Sequence, residues 1–287
     1  MTELMHGFGS QDLLGEGPLW DVQEQALYWV DILAQRYHIL KPATGAHQVI
    51  AVGETVGVLA LRQQGGFVVA TEHGFSYWDP TTRSLTRIGD PEAAKPESRF
   101  NDGSIDRAGR FWAGTMGDGA NNHLYRLSPD GAIQRMESGI TVSNGIGWSP
   151  DNRVMYYTDS DPRVIYAYDY DLASGDIANR RVLIDSSDQS GVPDGLTVDS
   201  QGFIWSARWD GWRIERYDPQ GKLERTIPMP VQRPTSVMFG GADLDVLYIT
   251  SARMEFSPEE LLPQPLAGDL FYLLPGVKGL PETRFAG

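Results

Sequence analysis

Four oxygen-bearing side chains stand immediately before a glycine at widely separated points of the chain, and together they could bind a cation. They are Glu16 in "GEGPLWD", Asp102 in "FNDGSID", Asn144 in "VSNGIGW" and Asp194 in "VPDGLTV". Carboxylates cannot be crowded together unless something neutralises them. Carboxylate and amide oxygens suit Ca²⁺, Mg²⁺ or Mn²⁺, and Zn²⁺ and Fe²⁺ also accept such ligands. If the fold brings the four together, they predict a site for one divalent metal ion.

The alternative interpretation of these segments is that each is a turn. Asp-Gly and Asn-Gly are common turn dipeptides, so "NDG", "SNG" or "PDG" alone indicates a turn more readily than a ligand. Glu-Gly is not a turn signal of that kind. Two other segments, "TVGVLAL" and "PTSVMFG", align with these four and have Val56 and a Thr235/Ser236 pair at the same place. The recurrence of the position, rather than any single residue, carries the metal hypothesis.

The elements that would position these residues recur with a regular period. An apolar strand core appears around Tyr28, Val68, Phe111, Tyr156, Ile204 and Tyr248, at spacings of 40, 43, 45, 48 and 44 residues. A second strand pattern follows each core. Units of this length with Asp, Pro and Gly turns are typical of β-propeller blades of about four antiparallel strands. The period predicts a six-bladed propeller over residues 1–287 as one domain, and a β-sandwich, the competing all-β fold, does not explain it.

The propeller places the four acceptor residues at one mouth of the central channel, because the innermost strands of all blades line that channel. The composition agrees with an all-β chain, since 32 Gly and 18 Pro suit short strands and tight turns. Trp20, Trp29, Trp112 and Trp205 lie in strand patterns and are expected in the core. Trp209 and Trp212 lie beyond a strand, where either could stack on a sugar.

Several classes of function are excluded by composition. The chain has no Cys, which excludes disulfides and Cys-ligated zinc, and its formal charge of −14 disfavours nucleic acid or an anionic membrane as partner. No apolar run approaches 18 residues and no secretory signal pattern begins the chain. We therefore expect a cytoplasmic protein, monomeric or weakly oligomeric, whose partner is a neutral small molecule or a cation.

The segments "LGEGPLWD", "RFNDGSIDRAGRFWAGTM", "SNGIGWSPDN", "YYTDS", "PDGLTVDSQGFIW" and "YITSAR" occur in this order between about Leu14 and Arg253. In this combination they resemble the senescence-marker-protein, gluconolactonase and luciferin-regenerating-enzyme family of sugar lactonases, which includes regucalcin. The overall pattern is more similar to bacterial xylonolactonases and related aldonolactonases than to the animal protein. The resemblance implies a six-bladed propeller with one catalytic divalent metal in the channel mouth.

The resemblance also implies roles for individual residues. Family metal ligands correspond to Glu16, Asn144 and Asp194, and Asp102 then holds a water or supports a ligand. Substrate-positioning residues correspond to Arg99 and Asn101. Regucalcin-type members have a sugar-holding glutamate shortly after "GTM", where this chain has Gly119 in a shorter loop. Asp118 is the candidate to replace that glutamate.

The chemistry that fits these residues is hydrolysis of an aldonolactone from a pentose or hexose to the aldonic acid. A divalent ion would polarise the carbonyl, and Asp194 would take the proton of the attacking water and return it to the leaving oxygen. Arg99 and Asn101 suit a polyol, although Arg99 could instead form a salt bridge between blades. Two alternatives remain: a phosphotriesterase or other ester hydrolase, and a non-catalytic calcium-binding propeller.

Overall fold

The computed structural model describes residues 3–287, and within them the chain forms six four-stranded antiparallel sheets arranged as the blades of a propeller. Strand β1 is Leu4–Phe8, which belongs to the last blade. The strands of each blade follow from the innermost to the outermost: blade 1 has β2 Gly15–Asp21, β3 Ala26–Asp31, β4 Arg36–Lys41 and β5 Ala46–Ala51, and blade 2 has β6 Val56–Leu61, β7 Phe67–Thr71, β8 Gly74–Asp79 and β9 Ser84–Gly89. Blade 3 has β10 Arg99–Ile105, β11 Phe111–Met116, β12 Asn122–Leu127 and β13 Ile133–Ile140, and blade 4 has β14 Ser143–Trp148, β15 Val154–Asp159, β16 Val164–Asp171 and β17 Asp176–Asp185. Blade 5 has β18 Val192–Val198, β19 Ile204–Trp209, β20 Arg213–Tyr217 and β21 Leu223–Pro228. The predicted six-bladed architecture is confirmed.

Blade 6 is assembled from both ends of the chain. Its inner three strands are β22 Pro234–Gly240, β23 Val246–Ser251 and β24 Leu270–Leu273, and β1 pairs antiparallel with β24 as the outermost strand. The backbone hydrogen bonds between β1 and β24 join the two ends of the chain in one sheet and so close the ring of blades. This closure was not part of the prediction from the sequence.

The burial of each strand follows its distance from the channel. The inner strands β6 and β14 are buried along their whole length, whereas the outermost strands β5 and β17 are mostly exposed. Inner strands are covered on both faces by neighbouring blades, so they read as continuous apolar or small residues rather than alternating ones. The four tryptophans expected in the core are buried: Trp20, Trp29, Trp112 and Trp205.

Two segments lie outside the blades, one toward each end of the channel. Residues 252–269 join β23 to β24 and contain the short helix α1 (Pro258–Leu261). We call the end of the channel on that side the upper mouth, where the inner strands begin. Residues 274–287, the C-terminal tail, cross the opposite end, and Glu282 and Arg107 line the channel there. No helix in residues 3–287 is long and apolar enough to cross a bilayer.

Candidate metal centre and substrate pocket

Every inner strand has a β-bulge at or beside the position singled out by the repeat alignment. The register with the second strand shifts between these pairs: Glu16/Leu19, Val56/Val58, Phe100/Asp102, Ser143/Ile146, Pro193/Leu196 and Pro234/Val237. A bulge inserts an extra residue and re-aims the side chain next to it. The repeated bulge therefore gives the six blades the same local geometry at the upper mouth.

Two of the aligned glycines, Gly57 and Gly195, are needed because a neighbouring inner strand approaches very closely. A Cβ at Gly57 would lie 2.4 Å from the Phe100 carbonyl oxygen, and one at Gly195 would lie 2.1 Å from Ser236 Oγ. No side chain fits at such distances. The Asp-Gly and Asn-Gly pairs of β10, β14 and β18 thus lie inside strands, so the interpretation of these dipeptides as turns is wrong.

Buried aspartates at the ends of the second strands hold the chain that leads into two ring positions. Asp31 accepts hydrogen bonds from the backbone N–H groups of Leu13 and Leu14, just before Glu16. Asp159 accepts from the N–H groups of residues 141 and 142, just before Asn144. Both carboxylates are buried anchors that position the entry to an inner strand.

Three buried carboxylates influence one another at the upper mouth. Burial raises the pKa of Glu16 well above its ordinary value, and the charges of Asp194 and Asp102 raise it further. Burial and the charge of Asp102 likewise raise the pKa of Asp194, and burial raises that of Asp102 to about 6. The main compensation is local, because Glu16 and Asp102 each accept a hydrogen bond from the N–H of the following residue. A bound cation would oppose these shifts and favour the charged carboxylates.

A chain of amide, hydroxyl and carbonyl groups connects the inner strands of blades 3, 4 and 5. Asn101 Nδ2 donates to the Ser143 carbonyl at 2.9 Å and lies 3.4 Å from Asn144 Oδ1. Asn144 Nδ2 donates to Ser160 Oγ at 2.9 Å, and that hydroxyl donates to the Pro193 carbonyl beside Asp194. The amide of Asn144 is thereby oriented with its nitrogen toward Ser160, which leaves its oxygen facing the side of Asn101.

The donor set of Glu16, Asn144 and Asp194 fits a divalent cation in chemical type. All three offer oxygen, all three are buried, and two are carboxylates whose pKa is raised by burial and mutual repulsion. Within residues 3–287 no group of three or more His, Cys, Asp and Glu side chains forms a metal site. The set proposed from the sequence is not of that kind, since it pairs two carboxylates with an amide.

Arg99 lies at the start of β10 beside these groups. Its Nη1 donates to Asn101 Oδ1 at 2.8 Å and to the Phe100 carbonyl at 3.1 Å, both on its own strand. Burial lowers the pKa of Arg99, while the charges of Glu16 and Glu72 oppose that shift. The hydrogen bonds of Arg99 thus orient Asn101, and they do not match the interpretation of Arg99 as a salt bridge between blades.

Asp118 lies apart from this group. It is exposed and lines an outer groove together with Lys95, Asn121 and Arg135. Arg99 lines the neighbouring groove, with Glu72 and Met116 among its walls. The loop 117–121 is therefore close to the candidate substrate side, but its carboxylate makes no hydrogen bond to Arg99 or Asn101 within the described part of the chain.

Sequence reasoning missed Glu92, which anchors the Pro-rich loop 90–98 ahead of Arg99. Its buried carboxylate accepts from the Tyr125 hydroxyl at 2.6 Å and lies 2.8 Å from His123 Nδ1 and from Lys95 Nζ. The loop is thus fastened to β12 of blade 3. Nothing in "PEAAKPES" distinguishes this buried acid from Glu97, which is exposed.

Comparison with known proteins found a matching family and similar sequences and structures. A family model described as SMP-30/Gluconolactonase/LRE-like region matches residues 14–253. The 6-deoxy-6-sulfogluconolactonase of Pseudomonas putida is 41% identical over 96% of both chains. Regucalcin of Danio rerio is 39% identical over 96% of this chain and 95% of its own. The structure of a calcium-binding protein, regucalcin, from Agrobacterium tumefaciens superposes with a TM-score of 0.95 at 29% identity, covering 100% of this chain and 98% of that one.

Proposed function

The chain belongs to the SMP-30/Gluconolactonase/LRE-like family, and on that premise we propose that it hydrolyses a sugar lactone to the aldonic acid with the help of one divalent metal ion. The named lactonase among its relatives supports the substrate class. The calcium-binding relative supports a divalent ion, which could be Ca, Mg, Mn, Zn or Fe(II).

The observation that carries this proposal is the convergence of Glu16, Asn144 and Asp194 on one mouth of the channel. Two buried carboxylates that repel each other and an oriented amide present oxygen atoms that a divalent cation could bind. A purely structural role would not favour uncompensated acids in the interior, because burying charge without a partner is costly. The three residues are proposed as the metal ligands, with Asp102 supporting them from the adjacent bulge.

The reaction needs a polarised carbonyl, an attacking water and a proton for the departing ring oxygen. A divalent cation bound here would supply Lewis-acid polarisation of the lactone carbonyl. Asp194 is proposed to accept a proton from the water as its oxygen bonds to the carbonyl carbon. It then returns that proton to the ring oxygen as the ester bond breaks. Water is consumed, and the open-chain aldonic acid leaves.

Arg99 and Asn101 are proposed to bind the hydroxyl groups of the lactone. The guanidinium offers several donors in a fixed fork, and the bond to Asn101 Oδ1 holds the two side chains in register. Asn101 both donates and accepts, which suits a hydroxyl that does the same. Asp118 is proposed as an additional substrate contact, reached from the exposed loop 117–121.

The proposal is tested with chelator-treated protein to which single metals are returned. Hydrolysis of xylono-, arabino- and gluconolactone is measured by proton release, alongside aryl esters and organophosphates. We expect lactone hydrolysis to return with a divalent ion and to be lost in Glu16→Gln and Asn144→Ala. Asp130→Asn, on an exposed turn at the opposite end of the blade, is the matched control and should retain wild-type activity.

Two outcomes would contradict the proposal. Metal-loaded protein that opens every lactone no faster than buffer, yet binds the ion tightly, would favour a calcium-binding propeller without this activity. Faster turnover of aryl esters or organophosphates than of any lactone would favour an ester hydrolase or phosphotriesterase instead.

A further inference from the structure

Glu72 of blade 2 occupies a position that carries an anchoring acid in two other blades. It directly follows β7, at the place where Asp31 ends β3 and Asp159 ends β15. Asp31 and Asp159 are almost fully buried, and each accepts hydrogen bonds from two backbone N–H groups of the segment that leads into its inner strand. Glu72 is only half-buried, so the acid of blade 2 differs from its two counterparts.

The anchoring role uses only one of the two carboxylate oxygens of Glu72. Oε1 accepts from the Thr55 N–H at 3.0 Å, and the Glu72 N–H donates to the Thr55 carbonyl at 3.2 Å. These two bonds fix the carboxylate beside the start of β6. Oε2 accepts no hydrogen bond within residues 3–287, and it is not enclosed by the protein. One oxygen of a positioned carboxylate is therefore open to a ligand.

Glu72 lines the same groove as Arg99. This groove has a volume of about 480 Å³ and lies at the upper mouth between blades 2 and 3, with Ser98 and Met116 among its other walls. Both hydrogen bonds of the Arg99 guanidinium come from Nη1, so Nε and Nη2 have no partner among the described residues. The groove thus presents free N–H donors together with a free carboxylate oxygen.

The two groups influence each other without direct contact. Burial lowers the pKa of Arg99, and the charges of Glu16 and Glu72 oppose that shift, yet Arg99 forms no ion pair with either acid. The charge of Glu72 also reaches Arg87, but that guanidinium is bonded to both oxygens of Glu54. Glu72 is therefore an acid without a directly bonded cation, in a groove whose guanidinium has donors to spare.

A hydroxyl group has the chemistry that fits between these two side chains. Its oxygen can accept from a guanidinium N–H while its O–H donates to a carboxylate. An anionic group would be attracted by Arg99 but repelled by Glu72, and a cationic group would experience the reverse. Asn101, which is bonded to Arg99, lies 3.4 Å from Asn144 Oδ1, so the groove adjoins the candidate metal centre.

We propose that Glu72 accepts a hydrogen bond from one hydroxyl group of the lactone, on the outer side of Arg99. The inference rests on the proposed lactonase function and adds a specificity-determining residue to the same site. Asp118 lines the neighbouring groove rather than that of Arg99. The substrate is then a neutral lactone with a hydroxyl at the position that reaches Glu72, and removal of that hydroxyl weakens binding.

The test measures Michaelis parameters of metal-loaded variants on the best lactone substrate and on analogues that each lack one hydroxyl group. Glu72→Gln removes the charge but keeps an oxygen for the Thr55 N–H. We expect KM for the parent lactone to rise about tenfold with kcat within about threefold, because a charged acceptor binds a hydroxyl more strongly and does so in ground and transition states alike. For one analogue, KM of the variant and of wild type should agree within about twofold, since hydroxyl and carboxylate form one contact.

Glu97→Gln is the matched control. It makes the same change of charge at an exposed acid of the same groove, and its KM should stay within about twofold of wild type. Metal affinity by calorimetry and the midpoint of thermal unfolding should be unchanged in Glu72→Gln. A raised KM together with a lower unfolding midpoint would attribute the effect to a lost anchor at Thr55 and overturn the inference.

Three further outcomes would overturn it while the lactonase function stands. The first is an unchanged KM in Glu72→Gln. The second is a rise in KM that is equal for the parent lactone and every analogue, because the carboxylate would then act through its charge alone. The third is a hydroxyl-dependent rise in Asp118→Asn and none in Glu72→Gln, which would assign the contact to the loop 117–121. Wild-type protein that opens no lactone would instead contradict the proposed function itself.

Discussion

Asp194 has two tasks in the proposed mechanism, since it is both a ligand and the proton acceptor. Its burial and the charge of Asp102 raise its pKa, while the N–H of Gly195 and the side chain of Asn144 oppose that shift. A carboxyl group in this environment holds a proton more tightly than an exposed aspartate does. A divalent cation bound beside Asp194 would lower that pKa and favour the carboxylate, the form that can accept a proton from water.

The substitution Asp194→Asn removes the base but keeps an oxygen in place. We expect metal binding to weaken but remain measurable by calorimetry, and kcat at saturating metal to fall by about 100-fold or more, the usual contribution of general base catalysis. A fall of less than about tenfold with metal still bound would remove Asp194 from the role of base. Asp188→Asn, at an exposed position of the loop before β18, serves as the control.

At the scale of elements, the site depends on loops that are fastened to strands. The loop 90–98 leads directly into Arg99 and Asn101. Glu92 holds this loop to β12 through its contacts with Tyr125 and His123, and it forms an ion pair with Lys95 of the same loop. Burial by itself raises the pKa of Glu92. The hydrogen bonds from Lys95 and Tyr125 and the nearby positive charges outweigh burial, so the net pKa lies below its ordinary 4.5.

The depressed pKa of Glu92 predicts a pH-dependent contribution to stability. A carboxyl group whose folded-state pKa is lowered stabilises the fold fully above its unfolded-state pKa, and this contribution is lost as the pH falls through the folded value. Glu92→Gln should lower the free energy of unfolding at pH 7 by about 1–3 kcal/mol, since it leaves buried donors without a charged acceptor. The difference from wild type should shrink once the pH falls below 4.5.

Urea unfolding of both proteins at pH 7 and pH 4 measures that difference. Glu97→Gln changes an exposed acid on the same loop and should alter stability by no more than about 0.5 kcal/mol at either pH. A difference between Glu92→Gln and wild type that is as large at pH 4 as at pH 7 would show that the charge of Glu92 is not what holds the loop.

At the scale of the whole molecule, the C-terminal tail joins blades that are distant in sequence. Arg284 Nη2 lies 2.8 Å from both carboxylate oxygens of Asp21 in blade 1, and Phe285 exchanges backbone hydrogen bonds with Leu61 and Gln63 in blade 2. Ala286 N–H donates to the Gly109 carbonyl in blade 3. The tail thus braces the lower end of the ring, while β1 closes its circumference.

Arg284→Ala is expected to destabilise the ring from this lower end. The change leaves the buried carboxylate of Asp21 without its cation, and we expect a loss of about 1.5–3 kcal/mol, the range for hydrogen bonds to charged groups. Thermal unfolding by calorimetry measures the effect. Lys278→Ala, which removes an exposed tail pair with Asp243, should cost less than about 1 kcal/mol. Equal effects of the two changes would argue that the tail adds little through Arg284.

The sequence by itself determined the architecture and the ring of acceptor residues. Both follow from repetition: six units of 40 to 48 residues predict six blades, and equivalent positions in a closed ring meet at its axis. Glu16, Asp102, Asn144 and Asp194 could be found because a local pattern recurs. The resemblance to a lactonase family, carried by the same segments, agrees with the family match over residues 14–253.

Only the tertiary structure decided which polar residues anchor loops and how the ring closes. Asp31, Asp159 and Glu92 look no different in sequence from exposed acids, because their partners belong to other segments of the chain. Arg284 and Asp21 are 263 positions apart, and no local periodicity relates them. Contacts of this kind depend on the three-dimensional approach of whole blades, so they arise with the fold and leave no pattern in neighbouring residues.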